Sequence, residues 1–311
     1  MKERFMNAML IHIGTNLWYE KDNKMAPGNK MWLSPASDTM RFDLELFREL
    51  TNEASKKGVN TLVLDLADGI EYESHPELAI EGSLTREVLL SEIERLHSLG
   101  FELVPKLNFS ACHDVWMKDY ALMVSTPKYY DVCRDLIREV CEIFKPKFIH
   151  IGFDEENYEN QKLYNHVTIR QNDLWWQDLA FLAECAAECG ARACIWADYA
   201  RHRPEEFIER CPKSIVACPW YYGNEFDESN ISEFGRIRLM PFKVIADAGI
   251  DIFAGASNEY HNENFALLKE YCRENIQKER FLGIIQTTWA STTEEYRNCL
   301  FGAIDLIEKA K

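Results

Sequence analysis

Residues 150–155 read His150-Ile151-Gly152-Phe153-Asp154-Glu155, and two adjacent carboxylates close a short apolar run that begins at Lys147. Acids placed in this way suit proton transfer at a carbon–oxygen bond: a protonated carboxyl donates to a leaving oxygen while its neighbour orients or stabilises what remains. Extended backbone sends successive side chains to opposite faces. Ile149, Ile151 and Phe153 therefore share an apolar face, and His150, Gly152 and Asp154 share the other, with Glu155 where the strand should end. Gly152 removes a side chain from the wall just below the acids and leaves room there.

Other chemistry-bearing residues close other apolar runs. They are Asp65 and Asp68, Asn108 and His113, Trp196 and Asp198, Trp220 and Tyr222, Glu259, Tyr260 and His261, and Trp289. Carboxylates among aromatic rings suit a carbohydrate, because ring faces pack on pyranose C–H surfaces while acids move protons. Taken singly, each residue also has a plainer reading. A tryptophan packs in a core, His150 hydrogen-bonds inside the wall, Asp65 is a satisfied buried carboxylate, and Asp154–Glu156 is a solvated acidic loop. Position argues against the last, since the run ends a strand whose preceding inward residues are His and Gly.

The elements that must carry these residues alternate strand with helix. Eight short runs rich in β-branched and aromatic residues predict strands at 9–13, 61–66, 102–109, 148–153, 193–197, 215–220, 251–256 and 283–289. Between them, apolar residues recur at helical spacing, as Leu44, Phe47, Leu50 and Ala54 do, and as Leu89, Ile93, Leu96 and Leu99 do. Later helices are predicted at 130–144, 174–189, 204–210, 239–248, 265–276 and 295–310. Gly58, Gly100, Gly190 and Gly249 stand where helices should end before the next strand. The pattern predicts an α/β fold, a single (β/α)8 barrel of the TIM type over residues 1–311, with the site at the C-terminal ends of the strands. An open doubly wound sheet is the alternative, disfavoured because no Gly-x-Gly-x-x-Gly follows the first strand. The long loops Leu17–Arg41 and Glu156–Ile169 would both lie at the site's end of the barrel.

With 47% hydrophobic residues in 311, the chain can bury a large core. Its net charge of −16 disfavours nucleic acid and anionic membrane as partners, and no apolar run approaches a transmembrane span. The first apolar stretch, Met6–Gly14, reads as a strand and not as a signal peptide. Ten cysteines occur without a Cys-x-x-Cys pair, and several fall on the apolar faces of predicted helices. They read as free thiols in a reducing compartment, and the cytoplasm is the expected location.

On these residues the chain resembles the family 20 glycoside hydrolases, the β-N-acetylhexosaminidases. Their fourth strand ends in His-x-Gly-Gly-Asp-Glu, matched here by His150-Ile-Gly152-Phe-Asp154-Glu155. Their second runs from Asn through an apolar stretch to Leu-Thr-Asp-Asp, matched by Asn60 through Leu66-Ala-Asp68-Gly. His75-Pro-Glu-Leu78 is similar to their Tyr-Pro-Glu-Leu, and Asn108 and His113 stand where their third strand and the loop after it carry Asp and His. Trp196 and Trp289 fall where they place pocket tryptophans. The resemblance implies retaining, substrate-assisted hydrolysis without metal or cofactor. Glu155 would be the acid and then the base, and Asp154 would orient the substrate's 2-acetamido group, whose carbonyl oxygen attacks C1. Asp68 and His113 would support the acid, with His150 beneath. Asn108, Trp196, Asp198, Trp220, Tyr222, Tyr260 and Trp289 would bind the sugar. Adjacent strand-end residues are expected to diverge, so the two acids would not flank C1 as a nucleophile and acid do.

The chain also departs from that pattern. The first strand, Met9-Leu-Ile-His12-Ile-Gly14, has no arginine, the Glu of the third strand is Lys106, and the family's Trp-x-Glu is Trp289-Ala-Ser291. Two other readings stand beside a glycosidase. One is a metal-dependent sugar isomerase or aldolase using Asp65, Asp154, Asp198 or His261 as ligands. The other is a non-catalytic carbohydrate-binding barrel.

Overall fold

Eight parallel strands close on themselves, each paired with the next in sequence and the last with the first. They are β1 (Met6–His12), β2 (Thr61–Asp65), β3 (Glu102–Lys106), β4 (Phe148–His150), β5 (Arg192–Trp196), β6 (Val216–Cys218), β7 (Asp251–Ser257) and β8 (Phe281–Thr287). The structure, a computed structural model, describes residues 4–26, 34–227 and 229–310. Part of the loop expected at Leu17–Arg41, residues 27–33, lies outside the described residues. Helices at Leu44–Lys56, Arg86–Ser98, Pro127–Phe144, Asn172–Glu188, Pro204–Arg210, Glu233–Asp247, Asn264–Asn275 and Arg297–Lys309 link the strands. This is the expected (β/α)8 barrel.

The helix ends follow their sequence signals. Asp43, Thr85, Thr126 and Ser232 accept backbone N–H groups at four helix N-termini. Gly58, Gly100, Gly190 and Gly249 all turn left-handed just beyond helices.

Period-two alternation sorts the strand side chains into two cores. Met9, Ile11, Leu62, Leu64 and Ile149 pack outward against helices, while Ala8, Leu10, Val63, Val104, Phe148, Cys194 and Phe253 fill the barrel. One layer higher the filling turns polar. His12, Asp65, Lys106 and His150 share one register row across β1–β4, and all four are buried.

Three strands are shorter than expected, for local reasons. β6 stops at Cys218 because Pro219 has no N–H to continue the ladder; Trp220 rejoins it by a single bridge to Gly255. β3 loses its regular pairing after Lys106, although Leu107 and Phe109 still donate to His150 and Ile151. β4 ends at His150 because Gly152, Phe153 and Glu155 all take left-handed φ, at +82°, +72° and +55°. The face sorting still holds, with Phe153 in the outer core and Asp154 above His150. The room at Gly152 is filled from within the protein. An added Cβ there would meet Asn108 Oδ1 at 2.0 Å and Ser110 Oγ at 2.9 Å.

Gly152→Ala would combine that overlap with a backbone that L-residues rarely adopt, and it should cost about 1–3 kcal/mol. Urea unfolding checks this; a midpoint equal to wild type would mean that the Asn108 and Ser110 side chains have slack.

Candidate active site

The C-terminal ends of β4–β8 and the loop after β1 enclose a cavity of about 430 Å³. Trp196 forms its deep wall, stacked at 4.7 Å on His150 from the polar layer below and 6.1 Å from Trp289. Trp220 and Tyr222 stack at 4.7 Å on the opposite side. Gly255 makes this possible: a Cβ on it would lie 2.8 Å from Trp220 and 3.0 Å from Trp196. Tyr260 stands exposed at the rim.

The acids meet at His113. Its Nδ1 lies 3.1 Å from Asp154 Oδ2 and its Nε2 lies 3.5 Å from Glu155 Oε2. Asp154 is buried, with Oδ1 2.5 Å from Ser110 Oγ and 3.4 Å from Asn108 Nδ2, and its own N–H donates to Ser110 Oγ at 2.9 Å. Glu155 is the open member, its side chain about a third exposed (34%). The expected divergence of neighbouring acids is corrected here. One oxygen from each lies within 4.8 Å of the other, because the left-handed turn at Glu155 swings its side chain back over His113.

Charges follow from these contacts. Burial works against ionisation of His113, yet the Asp154 carboxylate raises its pKa well above the ordinary value. Burial likewise pushes Asp154 up, but His113, Lys106 and Ser110 hold it well below the carboxylate range. His150, pushed down to about 3 by burial and by Lys106, is neutral and accepts the Gly152 N–H at 3.1 Å.

Other expected site residues stand behind the wall. Asp198 does not line the cavity; it accepts Trp220 Nε1–H at 2.9 Å and pairs with Arg201 at 2.9 Å, while the guanidinium of Arg201 covers the Trp220 ring. Asn108 acts through Asp154. Asp68 does not join His113 in the cavity as expected. Past β2 the chain turns at Ala67, φ +40°, and the Asp68 carboxylate accepts from Asn16 at 2.5 Å beside a separate cavity of about 350 Å³. The relay on His113 thus runs from Asp154, not from Asp68.

The proposed metal-ligand set is not gathered. Asp65 is tied to Lys106 and His12 inside the barrel, and Asp198 to Arg201. Among the described residues, the group spaced to hold an ion is His113, Asp154 and Glu155.

Several cavity residues were not singled out by sequence. Trp18, after β1, lies 5.5 Å from the His113 ring and 6.5 Å from Trp289; its place after a strand was the available signal. Tyr221, Phe234 and Arg238 had none. The last two lie on the first turns of Glu233–Asp247, a helix expected to begin only at Leu239 because Gly235 interrupts its apolar spacing.

The family model for the glycosyl hydrolase family 20 catalytic domain matches residues 105–299. No curated protein matches the chain in sequence. A β-N-acetylhexosaminidase from Bacteroides fragilis superposes with a TM-score of 0.63 at 15% identity, over 98% of this chain and 65% of that one. An exo-β-N-acetylglucosaminidase from Vibrio harveyi, in complex with N-acetylglucosamine, gives 0.65 at 15%, over 99% and 54%. Dispersin B gives 0.59 at 14%, over 96% and 99%. The chain spans about half to two thirds of the first two relatives, and at these identities the likeness is one of fold.

Burial pushes the Asp68 carboxyl up to about 6, against the pull of Asn16. A carboxyl raised in the folded state costs stability above its folded pKa, and the cost fades as pH falls toward the unfolded value. Asp68→Asn should therefore raise Tm at pH 7–8, and the gain should shrink between about pH 6 and 4. Thermal melts across pH check this; a gain independent of pH would mean that Asp68 is not the titrating group.

Proposed function

The chain belongs to glycosyl hydrolase family 20, and from that premise we propose that it is a retaining glycosidase acting on a β-linked N-acetylhexosamine or a closely related sugar. The observation that carries this reading is the clamp on His113: one buried, ionised carboxylate and one open carboxyl within reach of a single imidazole.

The two acids are equipped for different tasks. Asp154 has its oxygens met by His113, Ser110 and Asn108, which suits a fixed acceptor for the N–H of a 2-acetamido group and not a nucleophile that must leave its partners. Glu155 faces the cavity with freedom to move a proton. In the first step Glu155 protonates the glycosidic oxygen as the C1–O bond breaks, and the acetamido carbonyl oxygen bonds to C1 from the opposite face. In the second step Glu155 takes a proton from water, whose oxygen attacks C1 and reopens the ring with the configuration retained. His113, held cationic, keeps Asp154 ionised and in place throughout. Trp196, Trp289, Trp220 and Tyr222 supply faces for the sugar. The ten unpaired thiols support a reducing compartment such as the cytoplasm.

A second reading has one observation in its favour, since the His113–Asp154–Glu155 spacing could also seat a divalent ion. Activity lost on chelation and restored by metal would select it. A protein that binds N-acetylhexosaminides without cleaving any would be the non-catalytic barrel.

The acids can be told apart by leaving group. Glu155→Gln should lower kcat about 10²–10⁴-fold on glycosides with poor leaving groups and far less on activated aryl glycosides. Asp154→Asn should lower kcat on every 2-acetamido substrate whatever its leaving group. Steady-state kinetics on an aryl glycoside series, with and without the acetamido group, reads both. Identical leaving-group dependence in the two variants would sink substrate assistance.

A further inference from the structure

The cavity holds a cation without a counter-ion. Arg238, on the second turn of the helix Glu233–Asp247, lines the sugar cavity with its guanidinium 3.7 Å from the Phe234 ring centroid and 5.1 Å from that of Trp220. Among the described residues it makes no ion pair. The other half-buried or buried arginines nearby are neutralised: Arg201 by Asp198, and Arg170 by Glu156 and Asp178. The acids of the cavity are matched as well. Asp154 has His113, and a protonated Glu155 carries no charge when the acid step begins. Glu259, half-buried on the far rim, is the remaining carboxylate of the wall.

Burial, and then the like charge of Arg201, disfavour the cationic form of Arg238. An incoming anion would relieve both. Two aromatic faces hold the guanidinium plane while leaving its edge N–H groups for a ligand, the arrangement that recognises a carboxylate, sulfate or phosphate through paired hydrogen bonds.

We propose that Arg238 makes this site selective for an N-acetylhexosamine substrate bearing an anionic substituent, placed either on the terminal sugar or on the unit linked to it. The inference deepens the glycosidase reading and rests on it for the sugar alone.

Binding tests it without requiring turnover. Dissociation constants are measured calorimetrically on the Glu155→Gln protein, so that linked sugars stay intact, with Arg238 present or changed to Gln or Lys. The terminal-sugar arm compares N-acetylglucosamine with its 6-sulfate. The neighbouring-unit arm compares the β-linked N-acetylglucosamine dimer with N-acetylglucosamine β-linked to glucuronic acid. Wild-type protein is measured in parallel with the two monosaccharides. In one arm the anionic ligand should bind at least about tenfold tighter than its neutral partner, as expected for charge-assisted hydrogen bonds. That ratio should fall to about twofold or less with Arg238→Gln and be partly kept with Arg238→Lys, whose point charge lacks the fork. Equal affinities in both arms, no binding of either anionic ligand, or a preference that survives Arg238→Gln in a protein of unchanged Tm would each overturn the proposal. Anion-selective binding without hydrolysis of any substrate by the wild type would instead overturn the glycosidase reading and leave this one standing.

Discussion

Two carboxylates at the end of one strand repel each other unless a cation stands between them, and His113 is that cation. With oxygens within 4.8 Å, the unscreened pair would oppose each other by on the order of 3 kcal/mol at the effective dielectric of a half-buried site. The imidazolium answers both, but only because the backbone brings both to it. Three left-handed residues in four make β4 end abruptly and fold Glu155 back beside Asp154. Non-glycine residues resist that conformation, so Phe153 and Glu155 hold it only with outside support. Part of the support is visible. Phe153 is locked in the outer core against Trp175 at 5.2 Å, with the Arg170 guanidinium over its ring. Glu156 then pairs with Arg170 and accepts the Ala111 N–H at 2.9 Å, fastening the turn to the loop that carries His113.

The polar layer below is the foundation of this arrangement. A lysine and an aspartate buried inside a barrel rarely stabilise it relative to well-packed apolar residues. Lys106 and Asp65 neutralise each other there, and the Lys106 charge reaches further, helping to hold Asp154 ionised and His150 neutral. A neutral His150 is what allows its Nδ1 to accept the Gly152 N–H at the point where the strand breaks, and its ring carries Trp196. One buried charge therefore acts on the acid, the turn and the aromatic wall together.

Much of this was legible in the sequence, and the limits have physical causes. Period-two patterning is a local signal, so strand faces, barrel class and the convergence of His113, Asp154, Glu155, Trp196, Trp220, Tyr222 and Trp289 could be read from it. Strand ends could not. β4 was expected to run to Phe153, since apolar alternation continues although the backbone has turned left-handed. Asp68 was placed with His113 because both follow strands, but a turn at Ala67 redirects it toward Asn16, a contact between residues far apart in sequence. Asp198 carried the same strand-end signal and works one layer back, on Trp220. Arg238 was invisible because a cation on an amphipathic helix normally faces solvent; only the way that the helix's first turns lean over the barrel mouth brings it inside.

These placements bear on where substrate is gripped. Strand 1 has no arginine, and His12 stands in it buried beneath Trp18 and Trp289, at 6.3 and 5.9 Å, paired with Asp65 instead of facing the cavity. Beyond β8, Ser291 is buried beside Thr293, and Thr292 donates to the His12 carbonyl at 2.7 Å, so this stretch serves to close the barrel. The β1–β8 side thus offers few polar groups to a sugar. The groups removed there are matched by groups gained across the barrel, where Trp220, Tyr222, Phe234 and Arg238 crowd the mouth between β6 and β7. The chemistry remains fixed to β4 and the loop after β3, while the binding surface has moved to the opposite rim. A barrel permits this separation because its strands hold the reacting groups rigidly while each following loop or helix varies on its own.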